Sequence, residues 1–479
     1  MKRLRYAAVL ATLAGVLVVV GGAQAGAGVK TAKGPYLVPA APGVKVDAIL
    51  STGDVVGDYQ MSGIPDGLGA YANRQRKHDD DDDDDDSDRW SKGRTITIVM
   101  NHELGKTFPG QPPGVDARIS RLEVDRKTHG VVDAEYLFTG LEGFERFCSA
   151  TLRIFDGRPI YFTGEEAVNA GHDGSSIALD PETGMWRETP QFGRIEHENV
   201  VPTRLSKWVF LTSEDDFRAG EPSFLYAYIA SDFNRALRGR DGDVYVWKAD
   251  NPAKTGNATV AKGEPVPGHF VLVPKPATAS SASFKAAAAS VNPFKFDRLE
   301  DIAIRPDIRG RGYFDDTGKL PTTERGRIYQ IDINPKDPTE ATITMILNGD
   351  PPNNDDLINP DNLDASRRVL VIQEDREAAF RGDPNRVLVY DFSSKTLKTV
   401  AYVRSPDLLV GPFNQESSGV IDASRLLGRN WWLLDVQAHT RRELQPGPTL
   451  TPNSAIGEDG QLDAIYIPHS TGGDGEDDD

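Results

Sequence analysis

Short segments rich in β-branched and aromatic residues recur along the chain from about residue 95 onward, separated by Gly, Pro, Asn and Asp. Apolar runs of this length between turn-forming residues are typical of β-strands. No long stretch of helical periodicity interrupts them, so the pattern predicts an all-β protein. The predicted strands are 95–100, 119–124, 149–154, 208–212, 244–247, 270–273, 328–333, 368–372, 387–392 and 431–436.

Regular short strands without a helical layer favour a closed architecture, and a β-propeller satisfies this with four-stranded blades around a channel. Turn pairs such as Asp156-Gly157 and Asp241-Gly242 suit tight antiparallel connections. Acidic motifs recur once or twice in each stretch of about 40–50 residues, the span of a propeller blade. We therefore predict six divergent blades over 95–469, preceded by an N-terminal extension at 26–94 and carrying disordered insertions.

The N-terminus has the pattern of a cleaved export signal. Lys2, Arg3 and Arg5 precede an apolar stretch at 7–20, and Ala23-Gln24-Ala25 follows it. A charged region, a short apolar region and an A-x-A site together predict a signal peptide at 1–25. We therefore expect a periplasmic or extracellular protein, without a later apolar run long enough to span a membrane.

Charge and cysteine content exclude several classes of partner and crosslink. The 54 Lys and Arg against 72 Asp and Glu give a formal charge of −18, which disfavours binding to nucleic acid or anionic membranes. The single cysteine, Cys148, cannot form an intrachain disulfide, so an ordinary core must stabilise the fold. Three polar or low-complexity segments are predicted to be disordered: the aspartate run at 79–86, the Ala- and Ser-rich stretch at 275–290 and the acidic tail at 470–479. For the aspartate run the alternative is weak calcium capture.

Acidic motifs at the ends of apolar runs are the main candidate chemistry. Carboxylates at this density repel one another unless cations neutralise them, and hard oxygen ligands suit calcium. The alternative for any single motif is a solvated surface acid. The candidate ligands are Glu165, Glu166, Glu196, Glu198, Glu214, Asp215 and Asp216.

Cys148 and two histidines could add softer ligands. A lone cysteine is commonly an inert buried residue, whereas a thiolate ligand would select iron or zinc. His102 and His197 are possible imidazole ligands. Because His197 alternates with Glu196 and Glu198, a strand there would turn both glutamates towards the channel and His197 towards the core.

Two arginine motifs could bind an anion beside such a site. Arg298 stands two residues before Glu300, so both would project to one side of a strand. A planar guanidinium beside a metal-bound carboxylate suits phosphate, and the alternative is a structural salt bridge to Glu300 or Asp297. Arg376, two residues after Glu374, is a weaker candidate of the same kind.

Taken in order, these motifs resemble the PhoX family of secreted alkaline phosphatases. The resemblance covers about 101–418, most of the chain that follows the predicted signal. Family phosphatases are β-propellers whose channel holds two ferric ions bridged by an oxo group, together with calcium. The matching segments are Asn101-His102-Glu103, Phe147-Cys148-Ser149-Ala150-Thr151, Thr163-Gly164-Glu165-Glu166, Gly193-Arg194-Ile195-Glu196-His197-Glu198, Ser213-Glu214-Asp215-Asp216 and Arg298-x-Glu300.

The resemblance implies hydrolysis of small phosphate monoesters at an iron and calcium cluster. By it, Arg298 contacts phosphate, and Arg298 and Glu300 are the candidate catalytic residues. The iron ligands that it implies are Cys148, Glu196 and Glu300. The calcium ligands that it implies are Glu165, Glu166 and Asp215, and the secondary candidates are Glu198, Asp216, Glu374 and Arg376.

Two features depart from the family pattern. Asp301 follows Glu300 where family members tend to have proline and glycine flanking the glutamate, which places extra charge near the expected cluster. Arg3 and Arg5 are not adjacent, whereas the family typically uses a twin-arginine signal. Two other functions stay open: a different calcium-dependent propeller hydrolase, phytase-like or lactonase-like, and a non-catalytic calcium-stabilised binding protein.

Overall fold

The structure, a computed structural model, describes residues 28–76, 90–105, 116–168, 171–274, 279–319, 325–376, 384–404, 415–438 and 458–468. These ranges contain two short helices, α1 (Phe233–Ala236) and α2 (Ser281–Ala289), and are otherwise mainly strands and turns. Neither helix is long and apolar enough to cross a bilayer. The predicted signal peptide, the aspartate run at 79–86 and the tail at 470–479 lie outside the described residues.

Most of the described strands form six units of four antiparallel strands. The strands before the first unit are β1 (Leu37–Pro39), β2 (Lys45–Ser51), β3 (Val55–Val56) and β4 (Tyr59–Gln60). The first three units are β5–β8 (Pro65–Arg76, Trp90–His102, Arg118–Asp125, Val131–Phe138), β9–β12 (Phe147–Phe155, Arg158–Glu165, Ser176–Leu179, Trp186–Glu188) and β13–β16 (His197–Arg204, Trp208–Glu214, Leu225–Ala230, Asp243–Ala249).

Strand β17 (Pro265–Leu272) joins the outer edges of the third and fourth units, since it pairs with strands of both. The fourth and fifth units are β18–β21 (Leu299–Ile304, Arg311–Asp316, Arg327–Ile333, Glu340–Asn348) and β22–β25 (Pro360–Ala365, Val369–Glu374, Arg386–Asp391, Thr396–Val403). The sixth unit is β26–β28 (Gln415–Asp422, Trp431–Ala438, Asp459–Tyr466) together with β2 from the N-terminal side.

The six units are arranged in a ring. The first strand of each unit packs against the first strand of the next, and β26 of the sixth unit packs against β5 of the first. Apolar side chains fill the space between neighbouring sheets, for example around Trp247 and Phe314, which are fully buried. This arrangement confirms the predicted all-β propeller, and each predicted strand from 95–100 to 431–436 coincides with or overlaps an observed one.

The N-terminal segment differs from its predicted role as an extension at 26–94. Strand β5 is the first strand of the first unit, and β2 pairs with β28 to complete the sixth. Strand β5 contains no Val, Ile or Thr, so its own propensity for β-structure is low. Pairing along β6 determines its conformation, as tertiary context commonly does for strands.

The stretch at 275–290 also differs from its prediction as a disordered insertion. Its described part contains α2, which Ser280 caps through a hydrogen bond from the backbone N–H of Ser283. Phe284 and Ala288 are buried, and the Phe284 ring lies 5.4 Å from that of Tyr226 in the third unit. A composition rich in Ala is favourable for a helix, and the buried face fixes it in place.

Candidate metal centre

The second residue of each first strand lies at the same place in its unit. In every unit the first residue of the first strand pairs with the last residue of the second, as Pro65 does with His102 and Leu299 with Asp316. The next residue of the first strand is buried or half-buried and ionisable. We call these six residues the first ring: Asp66, Cys148, Glu198, Glu300, Asp361 and Glu416.

A second set of polar residues directly follows the second strand of each unit. Each of these positions follows the second-strand residue that pairs with the first residue of the first strand. They therefore lie at the same end of the channel as the first ring. In the sixth unit this position falls outside the described residues. We call the five described members the second ring: Glu103, Glu166, Asp215, Thr317 and Asp375.

Every residue of the two rings except Asp215 lines one pocket of about 290 Å³. Two arginines, Arg146 and Arg298, also line it. The eight carboxylates of the lining against two guanidinium groups leave six unbalanced negative charges when all are ionised. Such an excess is stable only with bound cations or bound protons, because buried like charges cannot all stay ionised.

The ligand atoms of the pocket form a continuous arc. Among the described residues, three groups of ligand atoms lie within 4.8 Å of one another in this pocket: Asp66, Glu103 and Cys148; Cys148, Glu166 and Glu198; Glu198, Glu300 and Asp361. Cys148 belongs to the first two groups and Glu198 to the last two. Shared ligands of this kind would let cations bind side by side across five units.

Cys148 is held in the middle of this arc. Its Sγ donates a hydrogen bond to Glu166 Oε2 at 2.8 Å, and its backbone carbonyl accepts one from Asn101 Nδ2 at 2.6 Å. Burial, with Glu103 and Glu166 nearby, raises the pKa of the Cys148 thiol well above its usual range. The thiol is therefore protonated without a cation, and a bound cation would displace that proton.

Five carboxyl groups of the arc also have pKa values well above their usual range. Burial is the largest cause of the increase, and neighbouring carboxylates add to it. This holds for Asp66, Glu166, Glu198, Glu300 and Asp361. One oxygen of Asp66, Oδ1, is buried without a hydrogen-bond partner in the described part of the chain.

Arg298 is oriented by a carboxylate outside the pocket lining. Its Nε and Nη2 donate to the two oxygens of Asp215 at 2.8 and 2.7 Å, a bidentate pair. Nη2 also lies 3.1 Å from Glu300 Oε1. Arg298 and Glu300 thus face the same pocket, as their spacing predicts, and Asp215 positions the arginine.

Two predicted ligands, Glu165 and Glu374, turn away from the pocket. Each is the last residue of a second strand, one position before the second ring, so strand alternation directs it to the other side. Glu165 accepts hydrogen bonds from the backbone N–H groups of Glu145, His172 and Gly174. Glu374 forms ion pairs with Arg376 and Arg386.

Glu196 joins a different cluster from Glu198, contrary to the predicted alternation. Strand β13 begins at His197, so Glu196 lies in irregular backbone where alternation does not apply. Its carboxylate groups with those of Glu214 and Asp216. Two cationic side chains offset two of its three charges: Lys285 of α2 contacts Glu214 and Asp216, and Arg218 contacts Glu196 and Asp216.

Replacing Lys285 by methionine is expected to destabilise the protein without changing its metal content. Lys285 is largely buried, and its loss leaves the buried carboxylate of Glu214 without its cation, whereas Asp216 keeps its ion pair with Arg218. Breaking such a pair costs about 3–5 kcal/mol in the free energy of unfolding. Denaturant unfolding measures the loss, with the exposed Lys295→Met as control. An equal loss in both variants would contradict this account.

The remaining candidates lie away from the ligand arc. His102 and His197 are fully buried and bond to the backbone carbonyls of Gly63 and Gly193. Burial lowers the pKa of His102 to about 3 and that of His197 to about 4. Asp301 accepts hydrogen bonds from Asn199 and from the backbone of Leu363, and it lines a second cavity of about 170 Å³.

The pocket also contains residues that the sequence analysis does not name as ligands: Asp66, Glu103, Arg146, Asp361, Asp375 and Glu416. A sequence signal for the first ring does exist. An acid near the start of a strand is followed by glycine or a polar residue and then by an apolar residue, as in Asp66-Gly67-Leu68 and Asp361-Asn362-Leu363. Four of the six ring positions have this tripeptide; Cys148-Ser149-Ala150 has a thiol in place of the acid, and Glu416-Ser417-Ser418 ends in serine.

Comparisons with known proteins support the fold. No family model and no curated protein matches the chain. PhoX of Pseudomonas fluorescens, solved in complex with vanadate, a transition state analogue, has a TM-score of 0.59 and 14% identity, over 92% of this chain and 97% of that one.

Two other solved structures are less similar. A protein of unknown function from Dyadobacter fermentans has a TM-score of 0.47 and 8% identity, over 89% of this chain and 100% of that one. An α-L-arabinofuranosidase from Lactobacillus brevis has a TM-score of 0.30 and 13% identity, over 64% and 86%. At this identity, the likeness to PhoX shows that the chain shares its propeller fold.

Proposed function

We propose that the protein is an exported, metal-dependent phosphatase that hydrolyses phosphate monoesters in the channel pocket. One observation carries the proposal: the two rings bring eight carboxylates and a thiol, with Arg146 and Arg298, into a single pocket of about 290 Å³. The similarly folded PhoX binds vanadate, an analogue of the phosphoryl-transfer transition state. Multiple cations with an arginine are a common means of binding a phosphoryl group.

The donor set fits the metals that the proposal requires. Carboxylate oxygens suit calcium, and a thiolate in the same arc suits a softer metal such as iron. The buried Oδ1 of Asp66, which has no hydrogen-bond partner among the described residues, is an acceptor that a cation would satisfy. Calcium would be held by Asp66, Glu103, Glu300 and Asp361, and iron by Cys148 with Glu166 and Glu198. Bound cations would supply neutralisation of phosphate charge and a more acidic water.

The side chains themselves would orient the substrate. Arg298, fixed by Asp215, presents its guanidinium to the pocket beside Glu300, where it can donate hydrogen bonds to phosphate oxygens. The arc of carboxylates repels an anion when no cation is bound. Substrate binding would therefore depend on cation loading, so that only protein with bound cations binds the anionic substrate.

The function is tested by metal analysis and activity together. The purified protein is expected to contain calcium and iron, and to hydrolyse p-nitrophenyl phosphate at alkaline pH. Cys148→Ser is expected to lose iron together with any visible absorbance from thiolate-to-metal charge transfer. Glu300→Gln is expected to lose activity, because Glu300 lies beside both Arg298 and the ligand arc.

Other outcomes would reassign the protein. Calcium alone, with Cys148→Ser unchanged, would remove iron from the proposal. Hydrolysis of p-nitrophenyl acetate or lactones without hydrolysis of phosphate esters would favour another propeller hydrolase. Bound calcium without any hydrolysis would favour a calcium-stabilised binding protein.

A further inference from the structure

Arg146 occupies the same position in the second unit as Arg298 does in the fourth. Each lies two residues before a member of the first ring, Cys148 in one case and Glu300 in the other. Both guanidinium groups line the pocket. The two arginines therefore approach the pocket from units on either side of the third unit.

The partners of the two arginines differ. Arg298 is held by Asp215, which does not line the pocket. In the described part of the chain, the carboxylates that form ion pairs with Arg146 are Glu103 and Glu166, and both line the pocket. The Nε of Arg146 lies 3.0 Å from Glu103 Oε1, and its Nη2 lies 2.7 Å from Glu166 Oε2. Both carboxylates belong to the ligand groups of the arc. Cations that neutralise Glu103 and Glu166 would leave N–H donors of Arg146 for another acceptor.

The local backbone and a neighbouring ring hold Arg146 in this position. Its φ of 54° lies in the left-handed region, which is uncommon for a residue with a side chain and often marks a functional site. The guanidinium also lies 5.3 Å from the centre of the Phe217 ring. Phe217 is 49% exposed and follows Asp215 and Asp216, so it stands at the same end of the propeller as the pocket.

We propose that Arg146 is a second anion-binding residue of the pocket, which together with Arg298 holds the tetrahedral phosphate group of the substrate. Two guanidinium groups on separate units can bind different oxygens of one phosphate, and each supplies planar paired donors. The proposal rests on the proposed phosphatase function. It adds a phosphate contact from the second unit, next to Cys148.

Binding of inorganic phosphate to the metal-loaded protein tests this role. Arg146→Ala is expected to weaken phosphate binding in calorimetry by roughly ten-fold or more, the loss typical of a charge-assisted hydrogen bond, with unchanged metal content. Arg146→Lys should recover part of the affinity, since it keeps the charge but not the planar donors. Arg158→Ala, at an exposed position of the same unit, is the control and should bind as wild type does.

Three results would overturn the proposal. The first is that Arg146→Ala binds phosphate as tightly as wild type. The second is that Arg146→Ala loses metal, which would assign Arg146 to charge balance. The third is that the metal-loaded wild-type protein binds no phosphate. Arg146→Lys provides the same readouts if the alanine variant does not fold. Wild-type protein that binds phosphate through Arg146 but hydrolyses no monoester would reject the phosphatase function and retain the binding role.

Discussion

Glu198→Gln is expected to reduce p-nitrophenyl phosphate hydrolysis by more than roughly 100-fold, beyond the loss typical of an outer-shell partner of a metal site. Glu198 is the only carboxylate shared by two of the ligand groups in the described part of the pocket. An amide has one acceptor oxygen and no charge, so it cannot replace a bridging carboxylate. Metal content should fall together with activity.

Glu196→Gln is the matched control for this experiment. The two glutamates are separated only by His197, yet Glu196 belongs to the separate cluster that Lys285 and Arg218 contact. Its variant should keep its metals and most of its activity. If Glu196→Gln loses iron while Glu198→Gln keeps full activity, Glu196 is the iron ligand, as the family resemblance implies. That result would contradict the assignment of metal ligands to the arc.

Removal of metal by a chelator is expected to lower the Tm far more at alkaline than at mildly acidic pH. One cation at about 1,000 times its dissociation constant stabilises by about 4 kcal/mol, and 1 kcal/mol shifts the Tm of a large domain by roughly 2–4 °C. A loss of about 10 °C or more is therefore expected at alkaline pH. Thermal scans with and without chelator, across pH, measure it.

The direction of the pH effect follows from the raised pKa values of the arc. A carboxyl whose pKa is higher in the folded than in the unfolded state binds its proton more tightly when folded. Its contribution to the free energy of unfolding is complete below the pKa of the unfolded state and is lost as the pH rises through the pKa of the folded state. Metal-free protein should thus become less stable from mildly acidic pH upward, whereas metal-loaded protein should not. Metal-free protein of equal stability at both pH values would contradict the charge repulsion described for the pocket.

The sequence predicts strands best where β-branched residues alternate with polar ones. Strand β20 (Arg327–Ile333) has such a pattern and is predicted at 328–333. Strand β21 (Glu340–Asn348) also alternates buried and partly exposed positions but is not among the predicted strands. Strand β5 lacks the pattern because its partner, not its composition, determines its conformation. The run of short strands without a helical layer predicts the propeller, the family resemblance implies the same fold, and the ring of first strands confirms it.

The lining of the candidate pocket was predicted only in part, because a single position decides which side of a strand a residue faces. Glu165 and Glu166 are neighbours, but only Glu166 enters the pocket, and Glu165 binds backbone N–H groups instead. A shift of one residue in register reverses every side chain, and register is fixed by pairing with distant strands. Asp66 and Asp361 were missed because each stands outside the acidic motifs from which the candidates were taken.

The sixth unit makes completion of the pocket depend on both ends of the described chain. Strand β2 pairs with β28, and the backbone N–H of Tyr36 donates to Gln461 Oε1 across 425 residues of sequence. Contacts this distant in sequence carry a large loop-closure cost and form slowly. Closure also brings Asp66 of the first unit beside Glu416 of the sixth, so cations bound to the full set of ligands would favour the closed ring. Metal binding would then stabilise the contact between the first and sixth units and so the closed form of the propeller.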